Sequence, residues 1–367
     1  MIKIKEFNTI PATFLITYHL FLLVALPIYL YSTIPGWGIW LAAFVLLYVT
    51  GISITGGYHR YYSHRAYKAH WLFEPVLLFF GSMSAQGSVL RWGFDHRIHH
   101  AFVDTDKDPY SINKGFWYAH CLWILEKPQE IDPKVVPDLM KNKWVMWQHD
   151  YYPLAMFGSN ALMCLFVGWL CGDFWGAFFI ATWLRLFTLH HCTWFINSLA
   201  HTWGDKPFCQ EQSAVNNYIL ALLTFGEGYH NYHHVFANDY RNGIRWYHFD
   251  PTKWVIWILN KLHITHNLKV IDPLVINKRM VLERKNLLLD KIKTAWKEKK
   301  EELSQQIDDI SERILSQIQH FNQLKERYQT TKTAELRVEI KEVKKRLKED
   351  WRAWSRLSKN ILHTNEI

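Results

Sequence analysis

Nine of the chain's 20 histidines fall in four compact groups: His59-Arg-Tyr-Tyr-Ser-His64, His96-Arg-Ile-His99-His100, Asn197-Ser-Leu-Ala-His201 and His230-Asn-Tyr-His233-His234. With histidine at roughly one position in 18, a given H-x-x-H-H arises by chance about once in several thousand starts. It occurs here twice. Positions i, i+3 and i+4 share one helix face, so three imidazoles spaced this way can point into one small volume. Asn197 and His201, at i and i+4, also share a face. His59 and His64 are five apart, about 140° around an α-helix, which would aim them in different directions. They serve one site if the helix ends near them, or each reaches a different metal.

A lone histidine is most simply a hydrogen-bonded core or surface residue, but nine in this pattern are a ligand set. Imidazole binds Fe, Zn, Cu and Ni. Nine exceed the coordination sphere of one ion and suit two. A structural zinc site closes at four ligands, usually with cysteine, and no cysteine accompanies these groups. Soluble carboxylate di-iron bundles carry two Glu-x-x-His motifs and further ligating Glu; only one such spacing, Glu227-Gly228-Tyr229-His230, meets these groups. This leaves an all-nitrogen di-metal centre. If the metal is iron, the pair can share the electrons needed to reduce O2 to a species that attacks an unactivated C–H bond. The metal carries the oxidising power, and the protein supplies position and exclusion.

Several elements must bring these groups together. Apolar residues make up 49% of the 367 and aromatics 16%, with 19 Trp, yet mean hydropathy is only −0.13. The apolar residues are therefore segregated into blocks. Segments 11–33, 37–58 and 154–172 carry no charge and 174–197 carries only Arg185; each reaches the roughly 20 residues that cross a bilayer core. They read as two helical hairpins, turned at Ile34-Pro35-Gly36 and at Asp173. Lys and Arg are absent from both turns and abundant in the N-terminus, in 59–153 and after 204. The positive-inside rule then places both termini and the middle region in the cytoplasm. Residues 71–90 are long enough for a fifth span. Crossing there would put His59 and His64 across a bilayer from His96, His99 and His100, so a buried, non-spanning helix covering the site is expected. Residues 213–226 are too short to cross and suit a buried or interfacial helix.

The net charge of +9 fits a basic face beside anionic headgroups or a nucleic-acid surface; the apolar blocks favour the first, and no nucleic acid is expected. Cys121, Cys164, Cys171, Cys192 and Cys209 form no C-x-x-C pair and read as reduced core residues. Lys3 and Lys5 precede an apolar run that is too long for a signal peptide, so a retained membrane helix is expected. From about 285 the chain is dense in Lys, Arg and Glu. Apolar residues there recur at Ile292, Trp296, Leu303, Ile307, Ile310, Ile314, Phe321, Leu324 and Tyr328. After a polar break at Thr330–Thr333 they recur at Leu336, Ile340, Val343, Leu347, Trp354 and Ile361. Steps of three, four and seven predict amphipathic or coiled-coil helices. They would pack on themselves, on a partner or on the chain's own cytosolic cap, and self-association is open to them; one long solvated helix is the alternative. The domains expected are 1–284 and 285–367.

At these boxes the chain resembles the membrane-bound acyl-CoA desaturases of the stearoyl-CoA Δ9 type. That family's pattern is H-x4-H, H-x2-H-H, N-x3-H and H-x2-H-H, the last preceded by Gly-Glu-Gly, here Gly226-Glu227-Gly228-Tyr229; Asp108-Pro109 also matches. The resemblance covers about residues 10–280. It implies an all-α integral-membrane fold of four transmembrane helices with a cytosolic helical cap. It also implies a cis double bond introduced into a saturated acyl chain held in a bent tunnel, using O2 and two electrons. Carried over, the ligands of two Fe2+ ions are His59, His64, His96, His99, His100, His201, His230, His233 and His234. Asn197 contacts one iron through water. Gln86, Thr193 and Trp194 match positions that shape the tunnel's kink. The implied substrate is a long-chain acyl-CoA, and the implied location is the bacterial inner membrane or the endoplasmic reticulum.

The chain departs from the family at Gly87 and Phe94, where animal members place Asn and Arg near CoA; Asp95 and Lys127 could serve instead. No His-Pro-Gly-Gly haem motif follows, so electrons are expected from a separate donor, of ferredoxin/reductase or cytochrome b5 type. Acyl-lipid or acyl-carrier-protein desaturation, hydroxylation on the same centre, and a non-catalytic membrane metal-binding scaffold are the alternatives. His190 and His191 are expected to pack or hydrogen-bond, His120 to be structural, and Arg185 to need a partner. Asp95, Asp108 and Glu227 are placed to orient ligating imidazoles or to act as caps and surface charges.

Overall fold

The structure is a computed structural model that describes residues 6–295 and 299–363, with side chains at 294, 295 and 363 left aside. Lys3, Lys5 and Trp296 therefore lie outside the described residues. The chain divides into two compact units, one of residues 1–206 and 212–270, the other of 207–211 and 271–367.

Unit 1 is helical. α1 (Thr9–Ser32) and α2 (Trp37–Ile52) are joined by a short extended turn, and α2 runs on into a π-helical segment, Ser53–Ser63. α3 (Glu74–Ser82), α4 (Val89–Phe102), α5 (Phe116–His120) and α6 (Lys143–Asp150) follow. α7 (Tyr152–Cys171) ends at Gly172, whose φ of +66° closes the helix as glycine readily does. Asp173 then accepts the Gly176 N–H at 2.7 Å and starts a run through a second π segment, Ala177–Leu184, into α8 (Arg185–Asn197). α9 (Tyr218–Leu223), α10 (His230–Val235) and α11 (Pro251–Lys261) complete the unit. A two-stranded antiparallel pair, β1 (Lys68–Ala69) with β2 (Thr265–His266), ties the chain after the first histidine box to the unit's end.

Among the described residues, three helices are long and apolar enough to cross a membrane: Thr9–Ser32, Trp37–Ser63 and Tyr152–Cys171. Their outer faces expose Leu23, Ile28, Leu165 and Trp169, side chains that water-soluble surfaces seldom group in this way. The fourth expected span, 174–197, is helical throughout, but Arg185, His190 and His191 lower its hydropathy. The 71–90 segment is not one helix. A 3-10 turn and α3 cover only Trp71–Ser82, too short to span. Residues 83–88 turn, and Ser88 caps α4 by accepting the Arg91 N–H at 3.3 Å. Nor is this segment fully buried, since Trp71 and Leu72 of the 3-10 turn and Val76 of α3 are exposed. Of 213–226, only Tyr218–Leu223 is helical.

Among the described residues, unit 2 contains three helices, α12 (Pro273–Ala295), α13 (Lys300–Thr331) and α14 (Ala334–His363). Val281, Leu288, Ile307, Ile314, Trp354 and Ile361 share one core. The two apolar runs of the tail thus pack on each other and on α12. Lys332, at φ +49°, breaks the helix, so one long solvated rod is not what forms. The longer segment of this unit begins at Ile271, ahead of the charge-dense stretch that starts at about 285.

Candidate metal centre

The π-helical segment resolves the spacing of the first box. In a π-helix the N–H of residue i+5 bonds to the carbonyl of residue i, and the His64 N–H donates to the His59 carbonyl at 3.0 Å. Residues five apart then stack, and the two rings lie 4.8 Å apart between centroids. An α-helix would have separated them. Both serve the same cluster: the helix ends at Ser63 with His64 as its cap, as expected if one site is served, and the two need not be split between metals. Asn197 and His201 do not share one α-helix either. α8 ends at Asn197, Ser198 kinks, and His201 closes a 3-10 turn.

The nine imidazoles converge as two groups. His59, His64, His96, His100 and His233 form one, and His99, His201, His230 and His234 the other; within each, the ligand atoms all lie within 4.8 Å of one another. In every close pair the facing atom is Nε2. The separations are 2.9 Å for His59–His233, 2.8 Å for His64–His96 and 3.0 Å for His100–His233. In the second group they are 3.1 Å for His201–His230, 3.0 Å for His230–His234 and 3.3 Å for His99–His234. One proton can bridge one such pair but not five convergent nitrogens, whose lone pairs repel without a cation. Metal–nitrogen bonds of about 2.1 Å at right angles put adjacent nitrogens about 3 Å apart, which matches these separations. The residues fit two metal ions. The i, i+3, i+4 triads are shared between the groups: α4 gives His96 and His100 to one and His99 to the other, and α10 gives His233 to one and His230 and His234 to the other.

The far nitrogens set the tautomers. His59 Nδ1 faces Glu227 Oε2 at 3.1 Å, His99 Nδ1 faces Asp108 Oδ1 at 2.9 Å and His96 Nδ1 faces the Tyr110 hydroxyl at 3.3 Å. His201 Nδ1 meets Ser213 Oγ at 2.6 Å, and that hydroxyl donates to Asp104. A carboxylate on Nδ1–H leaves Nε2 as a free lone pair. Burial, followed by neighbouring imidazoles, pushes His64, His96, His100, His230, His233 and His234 well below the ordinary histidine value, so they are neutral at pH 7. Burial alone would raise Glu227, but His59 and Arg60 outweigh it and hold the carboxyl below its usual range. Arg60 links Glu227, at 2.8 Å, to Asp250, at 3.0 Å, with all three buried. Asp250 also caps α11 through the Lys253 N–H at 2.9 Å. The sequence reading passed over Arg60, Asp250, Tyr110 and Asp104. Arg60 had a signal, a charge next to a ligand on an apolar helix. Asp250 and Asp104, remote from the boxes, had none.

The Gly226-Glu227-Gly228 motif has a steric reason. Gly226 adopts φ +99°, and a Cβ on Gly228 would lie 2.3 Å from the Ala221 nitrogen. Only glycine lets α9 approach closely enough for the Asn217 N–H to donate to the Gly228 carbonyl at 2.7 Å.

A cavity of 1110 Å³ runs past His59, His96, His99 and His230. It exceeds the roughly 1,000 Å³ upper range for compact ligands, which suits a long one. Arg91, Asp95 and Lys127 line it, as do the apolar Ile54, Met156 and Phe157. Gln86, Thr193, Trp194 and Asn197 all lie on its wall, and Gln86 Nε2 donates to Thr193 Oγ1 at 2.9 Å. Asp95 pairs with Arg91 at 2.7 Å and touches no ligating imidazole; burial raises it to about 6 against the pull of Arg91. Lys127 is exposed and pairs with Glu6 at 2.8 Å. Phe94 faces the core, with the Arg91 guanidinium 4.7 Å from its ring centroid. His190 and His191 lie outside both groups. His190 bonds the Ser84 carbonyl at 2.8 Å and the Tyr18 hydroxyl at 2.7 Å. His191 Nδ1 meets His120 Nε2 at 3.1 Å, and His120 Nδ1 meets Ser198 Oγ at 3.0 Å.

The fatty acid desaturase family model matches residues 35–266, which takes in every histidine of both groups. The chain belongs to the fatty acid desaturase family. This desaturase-family chain is 46% identical to a probable acyl-CoA desaturase of Schizosaccharomyces pombe over 250 residues, 67% of this chain and 52% of that protein. It is 39% identical to acyl-CoA desaturase 1 of Saccharomyces cerevisiae, over 68% of this chain and 49% of that one. It is 33% identical to the sn-1 stearoyl-lipid 9-desaturase of Anabaena variabilis, over 66% of this chain and 89% of that one. The chain thus spans about half the length of the two yeast relatives. The family match ends at 266, and unit 2's helices follow it.

Proposed function

We propose that this chain is an O2-dependent desaturase of saturated long-chain fatty acyl thioesters, acyl-CoA foremost, that introduces a cis double bond at Δ9. The observation that carries the reading is the convergence of nine Nε2 atoms as two groups on the wall of a long cavity, in a chain similar to acyl-CoA desaturases. The group of five histidines would hold one iron. The group of four would hold the other, with Asn197 reaching it through water. When bound, the iron pair supplies O2 reduction and removal of two hydrogens, so that –CH2–CH2–, O2, two electrons and two protons give –CH=CH– and two waters. The chain's own residues do the rest. Glu227 and Asp108 fix the imidazole tautomers. Ile54, Met156 and Phe157 bury the acyl chain and exclude water. Gln86, hydrogen-bonded to Thr193 beside Trp194, shapes the wall where the chain bends. Arg91, with Asp95 and Lys127, offers charge to the carrier's phosphates.

The chain crosses the membrane four times in this reading, with 174–197 as the fourth span and the termini and metal centre cytosolic. Arg185 supports this, because its guanidinium donates to the Met83 carbonyl at 3.0 Å and to Asn160 Oδ1 at 2.6 Å, which meets the charge's needs internally. Electrons come from a ferredoxin-type or cytochrome b5-type donor.

An acyl-lipid carrier is the second reading. It is favoured by the similarity to a stearoyl-lipid desaturase over 89% of that protein's length and by a buried Phe94 where animal acyl-CoA enzymes place Arg. The test is purified protein, iron analysis, then stearoyl-CoA or stearoyl-phosphatidylcholine with O2 and a reducing system. Oleoyl-CoA as product supports the first reading and oleoyl lipid the second. Full iron loading with neither product, or with a hydroxylated chain, counts against both.

A further inference from the structure

On α14, Lys341, Lys345, Lys348, Arg352, Arg356 and Lys359 recur in steps of four, three, four, four and three, and all six are exposed. At 3.6 residues per turn they fall within about 80° of arc along about 27 Å of helix. The five acidic residues of α14 lie outside that arc. None of the six basic residues belongs to an ion pair among the described residues. The opposite face carries Leu336, Val343, Leu347, Trp354 and Ile361, which are buried. The ridge therefore points away from the bundle's core. α13 differs, with six acidic and four basic residues. The bundle's stability requires only the apolar face; it does not require an unbroken line of like charges, which repel one another.

We propose that this ridge is a binding surface for the anionic headgroups of a lipid bilayer. The inference rests on the reading of unit 1 as membrane-spanning. Unit 2 is covalently joined to unit 1 at 206–207, 211–212 and 270–271, so a leaflet stays at high effective concentration, and weak contacts suffice. The ridge is straight, of one sign and free of aromatic anchors. That suits a laterally uniform sheet of phosphates and serines better than a compact protein partner, whose interfaces centre on aromatic hot spots. Each lysine or arginine adds an attraction that salt screens, so the contact is reversible and depends on lipid composition.

The test uses the full chain in nanodiscs of phosphatidylcholine alone or with about 30% phosphatidylserine, at about 50 and about 500 mM NaCl. Lysine acetylation rates are read by mass spectrometry. Lys341, Lys345, Lys348 and Lys359 are expected to react about three- to tenfold more slowly on anionic discs at low salt, with high salt abolishing the difference and Lys325 on α13 serving as internal control. A Lys345→Gln, Lys348→Gln, Arg352→Gln variant should lose protection at Lys341 and Lys359 while keeping its thermal unfolding transition. Equal labelling on both discs overturns the proposal. So does protection that appears only when an acidic redox protein is added. Flotation with neutral vesicles at high salt tests insertion of unit 1 separately. A chain that does not insert overturns the membrane reading and this proposal together, whereas insertion with equal labelling overturns this proposal alone.

Discussion

Glu227 holds His59 with one carboxylate oxygen and Arg60 with the other, at 3.1 and 2.8 Å, all three groups being buried. Adjacent residues of the π-helical segment are thereby locked to the loop before α10, and Asp250 balances the guanidinium from the other side. Glu227→Gln keeps the volume but removes the charge on which both partners depend. Iron affinity should fall about 10- to 100-fold, as when the partner of a ligating histidine is lost. Leaving Arg60 with one buried carboxylate should cost about 3–5 kcal/mol of stability. Iron per chain and thermal unfolding check the two effects separately. A variant with normal iron content would count against the orienting role.

The two histidine groups make separable claims. His233 belongs to the group of five and His234 to the group of four, although they are neighbours on α10. His233→Ala and His234→Ala should each leave about one iron per chain in place of two and abolish desaturation. Elemental analysis decides. Two irons retained in either variant would remove that histidine from the ligand set.

Acid should weaken the metal-free protein in a defined window. Burial holds His64, His96, His100, His230, His233 and His234 well below the ordinary histidine value. Below about pH 6.5 the unfolded chain takes up protons at these positions and the folded chain does not. Stability therefore rises with pH through this range and is lost as pH falls below about 6.5. Melting temperatures of chelator-stripped protein at stepped pH values test this, and a flat profile would contradict the buried, neutral state.

Met156 and Phe157 line the cavity from α7. Met156→Trp adds volume to an apolar wall that a long acyl chain would occupy. Conversion of an 18-carbon substrate should fall at least about tenfold relative to a 14-carbon one. Product ratios from mixed-substrate incubations measure the shift.

In unit 2, the Ser358 hydroxyl is buried with no hydrogen-bond partner among the described residues. Replacing it with alanine removes an unsatisfied group of about 1–3 kcal/mol and adds helix propensity. Ser358→Ala should unfold at equal or higher temperature than the parent, in contrast to Trp354→Ala, which should lose about 3–5 kcal/mol by opening a cavity.

The sequence by itself singled out the nine histidines and the elements that carry them. Periodicity of three and four places His96, His99 and His100 on one face and His230, His233 and His234 on another, because an α-helix imposes that geometry locally. Uncharged runs likewise announce α1, α2 and α7. The His59–His64 pair needed the tertiary structure, since a π-helix leaves no spacing signature of its own and the α-helical rule points the wrong way. The division into five and four was also beyond local reasoning: each triad is shared, and only the approach of α4, α10 and the turn at His201 decides which Nε2 meets which. The same holds for Arg60, Glu227 and Asp250. Their attraction is strong because burial removes water from around charges that are 167 and 190 residues apart in the chain, and burial is a property of the folded whole.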